Sequence, residues 1–311
     1  MKFYVMNPSI RIVKLILRIL IGAFFITTAI FKLLSLDNFE IYIYSFNIFG
    51  YVFSSVIARL VIMAELLLGG LLISKILYRQ AWWLTMAMLA GFTLLLVYVA
   101  IFRHDANCHC MGDIVQLNPV VSIVKNVVTM ALMLLIRNEE DYYFKGKMVV
   151  GIGLLVASFA VPFACFPMDN IYLAFSRQEV KIDDKKMTRF LQDSTAQALH
   201  ITKGDYVIGF FSSGCQYCKL SARKLNTIIQ NNQLDSSKVV FFIWGGEKSI
   251  QKFKNETETE NYRFSVIGPV EAIELVLGQF PTYLYVHDGK VEKVMDLRGL
   301  NEHGLVEFMS K

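Results

Sequence analysis

The chain has 311 residues, of which 55% are hydrophobic and only 18% charged, and its mean hydropathy is +0.46. That excludes a disordered chain and a wholly soluble one, and the length predicts two domains. Residues 1–168 hold 13 basic and 8 acidic side chains, whereas 169–311 hold 18 of each. The basic excess therefore lies among apolar segments, where it reads as membrane topology and not as nucleic-acid binding.

A span needs about 20 mostly apolar residues. Five stretches qualify: 12–34, 49–74, 81–102, 117–136 and 148–168. Lys2, Arg11 and Lys14 open the first. Lys75 and Arg79 separate the second from the third, and Arg137, Lys145 and Lys147 the fourth from the fifth. The positive-inside rule puts these regions in the cytoplasm. It follows that the N-terminus is inside and everything after 168 outside, in the periplasm. The first stretch is read as a retained signal anchor, because no small-residue cleavage site follows it.

Charges within spans are costly and call for partners or a function. Counted along their spans, Arg18 and Glu65 fall at equal depth, which predicts an Arg18–Glu65 pair, either a structural clasp or a proton relay. Lys32, Arg59 and Lys125 fall toward the outer half. They could form a cationic patch under the loop between spans three and four, stabilising a thiolate or a reduced quinone. Interfacial snorkelling is the other reading of Lys32.

That loop reads Asn107-Cys108-His109-Cys110-Met111-Gly112-Asp113, and Lys125-Asn126 follow in span four. A C-x-C pair bridges near the limit of comfortable geometry, and a strained disulfide is more oxidising. The Cys108–Cys110 pair is thus a candidate redox site, with a fixed loop staple or a metal site as the other readings. The crowding of His104, Cys108, His109 and Cys110 is poor for tetrahedral zinc, and no metal is expected. Residues 1–140 resemble the MauE/DoxX family of small membrane proteins. Its signature is a Cys-Gly-Cys-Phe-Gly-Asp loop followed by Lys-Asn. His109 and Met111 depart from it, while Cys108, Cys110, Gly112, Asp113, Lys125 and Asn126 match, as do Lys32, Glu65 and Gly69. The resemblance implies disulfide chemistry of the kind used in methylamine dehydrogenase maturation, coupled to a membrane quinone. Lys125, Asn126 and Arg59 are the candidate quinone contacts.

The fifth span, within 141–168, ends near Cys165, read as a small buried hydrophobe or a resolving thiol. Residues 169–200, rich in charge and with no evident apolar stripe, read as a linker. From 201 the pattern changes. Tyr206–Ser212 and Val239–Trp244 are buried-strand runs. Lys219–Asn231, Glu271–Leu277 and Asn301–Ser310 read as helices, the last capped by Asn301. Asp288-Gly289 joins two strands as a tight hairpin.

Cys215-Gln216-Tyr217-Cys218 sits between the first strand and its helix. A cysteine at a helix N-terminus meets unpaired N–H groups that favour the thiolate, the attacking species in disulfide exchange. Half a zinc site or a static disulfide are the other readings. Strand, C-x-x-C, helix and a later Phe280-Pro281-Thr282 leading into a hairpin resemble the thioredoxin fold, in its membrane-attached TlpA-type branch, over 201–311. The resemblance implies a cis-proline at Pro281 that helps dock substrate sulfurs. Two departures stand out. Gly209 occupies the place of the family's buried acid, and Gly214 that of the tryptophan often found before the motif.

The fold class expected is therefore an α-helical membrane bundle, four helices plus a fifth span, followed by an α/β thioredoxin-like domain. The function expected is a thiol-disulfide oxidoreductase of the bacterial plasma membrane. Electrons would pass from exported cysteine-containing clients through Cys215–Cys218 and Cys108–Cys110 to a membrane quinone. A reductase running the other way, or a thioredoxin-like domain on a purely anchoring bundle, are the alternatives. The lipid bilayer is a partner and nucleic acid is not.

Overall fold

Long runs of Leu, Ile and Phe, broken only at short polar loops, set up the helices of the first half. A computed structural model describes residues 8–103, 111–112, 117–137, 139, 141, 145–175, 180–193, 199, 201 and 203–310. The chain divides into two units, 1–43 with 55–167 and 44–54 with 168–311.

The first unit is helical: α1 Pro8–Leu34, α2 Leu36–Tyr44, α3 Tyr51–Ser74, α4 Tyr78–Tyr98, α5 Pro119–Leu135 and α6 Lys147–Ala160. One π-turn, Val99–Arg103, continues α4, and another, Val161–Cys165, continues α6 where Pro162 lacks the N–H an α-helix needs. Four helical stretches are long and apolar enough to cross a membrane: Ser9–Leu34, Tyr51–Ser74, Tyr78–Arg103 and Lys147–Cys165. The fourth predicted span is the shorter α5, 17 residues opened by an Asn118 cap and Pro119. The short α2 lies between the first two predicted spans.

Within the unit, α1 and α3 meet at glycines. A Cβ on Gly22 would lie 2.8 Å from the carbonyl oxygen of Gly69, and one on Gly69 2.7 Å from that of Gly22. Only small residues allow such an approach. α4 is tied to the end of α5, whose last carbonyls lack helical partners. Tyr78 Oη donates to Ile136 O at 2.8 Å, and Trp82 Nε1 to Met133 O at 2.8 Å. Leu84, Leu94, Val124 and Val149 face outward, the pattern of helices surrounded by lipid.

The second unit is built on one five-stranded sheet in the order β3-β2-β1-β4-β5: β1 Asp205–Ser212, β2 Val239–Trp244, β3 Arg263–Val266, β4 Thr282–His287 and β5 Lys290–Met295. β1 runs parallel to β2 and antiparallel to β4. A parallel crossover followed by an antiparallel hairpin is the thioredoxin-like arrangement. One face carries Ile208, Phe210, Val240, Phe242, Leu284 and Val286, covered by α8 Asp184–Gln192 and α11 Pro269–Val276. The other carries Phe211, Phe241, Tyr283 and Tyr285, under α9 Gln216–Asn231, α10 Glu247–Thr257 and α12 Glu302–Met309. Asp288 and Gly289 both have positive φ, 47° and 73°, as the tight hairpin requires.

The predicted linker, 169–200, needs correction. Asp169–Phe175 forms α7, and α8 is capped by Asp183, which accepts from Lys186 N at 3.0 Å. Met187, Phe190 and Leu191 lie in the α/β core. Their spacing is an i, i+3, i+4 stripe that the surrounding charges hide. The α/β fold therefore starts near residue 180, not 201. α10 and the edge strand β3 are further elements that the sequence pattern does not mark. β3 is only four residues long and alternates between half-buried and exposed positions.

Candidate functional site

The redox pair forms where β1 ends and α9 begins. The chain turns through Ser213 and Gly214, and Cys215 becomes the N-cap of α9. Its Sγ accepts from Cys218 N at 3.3 Å, satisfying one of the helix's free N–H groups. Cys215 is half-buried and Cys218 fully buried; both are unbridged. Burial, then the neighbouring Cys215 sulfur, holds the Cys218 thiol well above its ordinary range, partly offset by a backbone hydrogen bond at Ser212. The two sulfurs are thus unequal: one meets a partner, the other waits behind it.

The Phe280–Pro281 peptide is cis. Phe210 pairs with Thr282 across β1 and β4, so the residue after Pro281 lies on the strand next to β1, which ends three residues before Cys215. Trp244 and Phe280 lie 6.3 Å apart, and Tyr217 inside the motif is 66% exposed. Gly209 pairs with Tyr283. A Cβ there would lie 2.6 Å from Phe211 Cε2 and 2.7 Å from its Cζ. The place of the expected acid is filled by a ring.

The helical unit sorts its charges differently from the sequence reading. Glu65 pairs with Lys32, not Arg18: Lys32 Nζ donates to both carboxylate oxygens, at 2.6 and 2.8 Å, and both residues are buried. Arg18 lies 3.9 Å from Glu139, which Lys75 also meets at 3.1 Å. The reason is the Gly22–Gly69 crossing. It sets Glu65 one turn to one side and Arg18 one turn to the other, about 12 Å apart along the axis at 1.5 Å per residue. Lys32 reaches Glu65 because helical side chains lean toward the N-terminus.

Arg59, offered as a quinone contact, is held inside the protein. Its Nη1 donates to Glu40 and to Ser55 O (3.0 Å), and its Nε to Phe166 O at 3.0 Å. Lys125 lies over the Phe24 ring at 5.4 Å and interacts with Glu65; neighbouring Asn126 donates to Thr93 Oγ1 at 3.3 Å. The cationic patch expected of Lys32, Arg59 and Lys125 is thus split between two acids.

Cys108 and Cys110 lie outside the described residues. Met111 and Gly112, just after them, are described: Gly112 has φ 63°, and a Cβ there would lie 2.4 Å from Phe31 O and 2.5 Å from Ser35 Oγ. The motif's glycine is thus pressed against the end of α1, beside Lys32. Cys165 is exposed in the π-turn after α6, not buried as a small hydrophobe would be.

Residues 10–137 match the family model of the methylamine utilisation protein MauE. Protein TlpB of Flavobacterium psychrophilum is 24% identical over 303 residues, covering 81% of this chain and 82% of that protein. A secreted Mycobacterium tuberculosis disulfide oxidoreductase, described as homologous to E. coli DsbE, aligns at 14% identity with a TM-score of 0.29, covering 36% of this chain and 84% of its own. The chain is a membrane protein in which a MauE-like helical segment is followed by a thioredoxin-like domain.

Proposed function

We propose that this membrane protein is a thiol-disulfide oxidoreductase that forms disulfides in exported proteins. The observation that carries the reading is the inequality of the two sulfurs. Cys215 caps a helix at a half-buried position, and Cys218 lies buried one turn behind, its thiol held protonated. A client thiolate attacks Cys215 and displaces Cys218, and a second client thiol then closes the client's own disulfide. The reduced pair is reoxidised by the Cys108–Cys110 loop. Five spans with the N-terminus in the cytoplasm would leave both dithiols outside the plasma membrane.

A membrane quinone would supply the final two-electron acceptor. Lys125 and Asn126, neighbours on α5, would be its contacts, Asn126 giving up its bond to Thr93; Arg59, already spent on Glu40 and backbone carbonyls, would not. The MauE resemblance brings methylamine dehydrogenase maturation to mind as a context; the client class here is any exported protein with paired cysteines.

Two measurements test the scheme. Thiol-alkylating mass tags applied to intact cells should find Cys215 and Cys218 mostly disulfide-bonded; a mostly dithiol pair would reverse the direction. Variants retaining one cysteine of each motif should crosslink on a non-reducing gel, Cys215 most readily. If no combination crosslinks, the helical unit is an anchor and the relay is wrong.

A further inference from the structure

Exchange at Cys215 makes the buried Cys218 sulfur carry a negative charge, and on β1 only the backbone at Ser212 helps it, since Gly209 stands where an acid would. Two buried hydroxyls remain unaccounted for. Ser221 lies one turn after Cys218 on the same face of α9, and both are 0% exposed. Tyr283, on β4 opposite Gly209, is also 0% exposed, its ring edge-on to Phe211 at 5.5 Å. Neither Tyr283 Oη nor Ser221 Oγ has a hydrogen-bond partner beyond the other. Native interiors rarely leave such groups unpaired, and those they leave need a reason. The two interact with one another, and the Tyr283 phenol feels the charge of Cys218. Tyr283 is held well above its ordinary range, chiefly by burial, so its hydroxyl keeps its proton and can act only as a neutral donor.

We propose that Tyr283 and Ser221 are positioning residues for thiol exchange, their hydroxyls turning to donate to the Cys218 thiolate in place of the missing acid. The proposal rests on the reading that the Cys215–Cys218 pair exchanges with clients. In the oxidising direction a client thiolate forms a bond to Cys215 Sγ, the Cys215–Cys218 bond breaks, and the electron pair leaves on Cys218 Sγ, where the hydroxyls donate. The client's second thiol then attacks the client sulfur of the mixed disulfide and Cys215 leaves as a thiolate. The proton of that second thiol ends on Cys218. The client loses two electrons and the cysteine pair gains them. In reverse, the same Cys218 thiolate attacks the mixed disulfide, so the hydroxyls assist both directions.

The test uses the reduced full chain in detergent, with glutathione disulfide as the probe. Mass spectrometry follows the glutathione adduct on Cys215 as it forms and as Cys218 resolves it. Formation does not involve Cys218; resolution does. Tyr283→Phe should form the adduct at the wild-type rate and resolve it about tenfold more slowly, the worth of one hydrogen bond to a charged group. Ser221→Ala should slow resolution in the same way, and Ser221→Thr, which keeps the hydroxyl, should restore it. Wild-type resolution in both Tyr283→Phe and the Tyr283→Phe/Ser221→Ala double variant would overturn the proposal. So would a slowing that affects formation equally and that Ser221→Thr fails to rescue, because that is lost packing. If the wild type forms no adduct at all, it is the thiol-exchange reading that falls.

Discussion

Two sets of buried polar groups, one in each unit, are treated in opposite ways. In the helical unit Lys32 is locked to Glu65, and Arg59 to Glu40, Ser55 and Phe166. In the α/β unit a sulfur stands half-open at a helix N-terminus, and two hydroxyls behind it have no partner but each other. Satisfied groups hold a structure still. Unsatisfied ones beside a nucleophile are available to the charge that appears during a reaction. The comparison teaches which buried polar groups to suspect of chemistry: not the most highly charged, but those left incomplete beside a nucleophile.

The sharpest way to break the contrast is to remove the nucleophile. Cys215→Ser should abolish adduct formation with glutathione disulfide, a loss of more than about a thousandfold, with the far-ultraviolet circular dichroism spectrum and Tm little changed. Cys218→Ser should instead accumulate the adduct. Adducts that build up in Cys215→Ser and not in Cys218→Ser would show the roles to be exchanged.

The next test asks whether the helical unit's charges are structural. Glu65→Gln leaves the buried Lys32 ammonium without its counter-charge, at a cost of about 3–5 kcal/mol. It should lower the thermal stability of the detergent-solubilised protein while the isolated exchange rate of Cys215 is unchanged. Adding Lys32→Met, which removes the orphaned charge, should recover most of the loss. A stable Glu65→Gln protein with slowed reoxidation of Cys215–Cys218 would move this pair from clasp to relay.

The α/β core offers a comparison at intermediate magnitude. Leu191→Ala on α8 removes a side chain that is 2% exposed and should cost about 2–5 kcal/mol. Such a loss, read as a fall in urea midpoint of the α/β transition, shows that α8 belongs to the fold. A change under about 0.5 kcal/mol would return residues 180–192 to linker.

How much of this was legible follows the range of each interaction. The dithiol was readable because its parts are close in sequence: strand, turn, Cys215, helix, Cys218. The Asp288-Gly289 hairpin and the Asn301 cap were readable for the same reason. The Lys32–Glu65 pair was not, because its depth is set by where Gly22 meets Gly69, a contact between helices that counting along each one cannot locate. α8 was hidden by composition: Met187, Phe190 and Leu191 are three apolar positions among lysines, aspartates and an arginine. Tyr283 and Ser221 were invisible for a different reason. Only the β1–β4 register and the helix face bring them under Cys218. Gly209, noted as a departure from pattern, was the one signal that something else had to be there.

The smallest effect lies at the far end of the same sheet, where a polar pair is both satisfied and exposed. His287 Nδ1 lies 2.7 Å from Asp205 Oδ1, joining β4 to β1, and its Nε2 lies 3.6 Å from Asp288. The hydrogen bond to Asp205, with the charges of Asp288, Asp205 and Glu292, raises the imidazole above its ordinary range, against a smaller opposing effect of desolvation. A histidine raised in the folded state binds its proton more tightly there than in the unfolded chain. Its contribution is therefore fully present below the unfolded value of about 6.5 and is lost as pH rises through the higher folded value. His287 is half exposed, so water screens the pair and the contribution is small. The expected result is a slight downward step in Tm of the wild type as pH rises past 6.5, missing in His287→Asn, with exchange at Cys215 equal in the two proteins at every pH. A step of the opposite sign, or one that survives the substitution, would assign the pH dependence to another group. An exchange rate that follows His287 would mean that a satisfied surface pair reaches the dithiol, contrary to the contrast drawn between the complete groups and the incomplete ones.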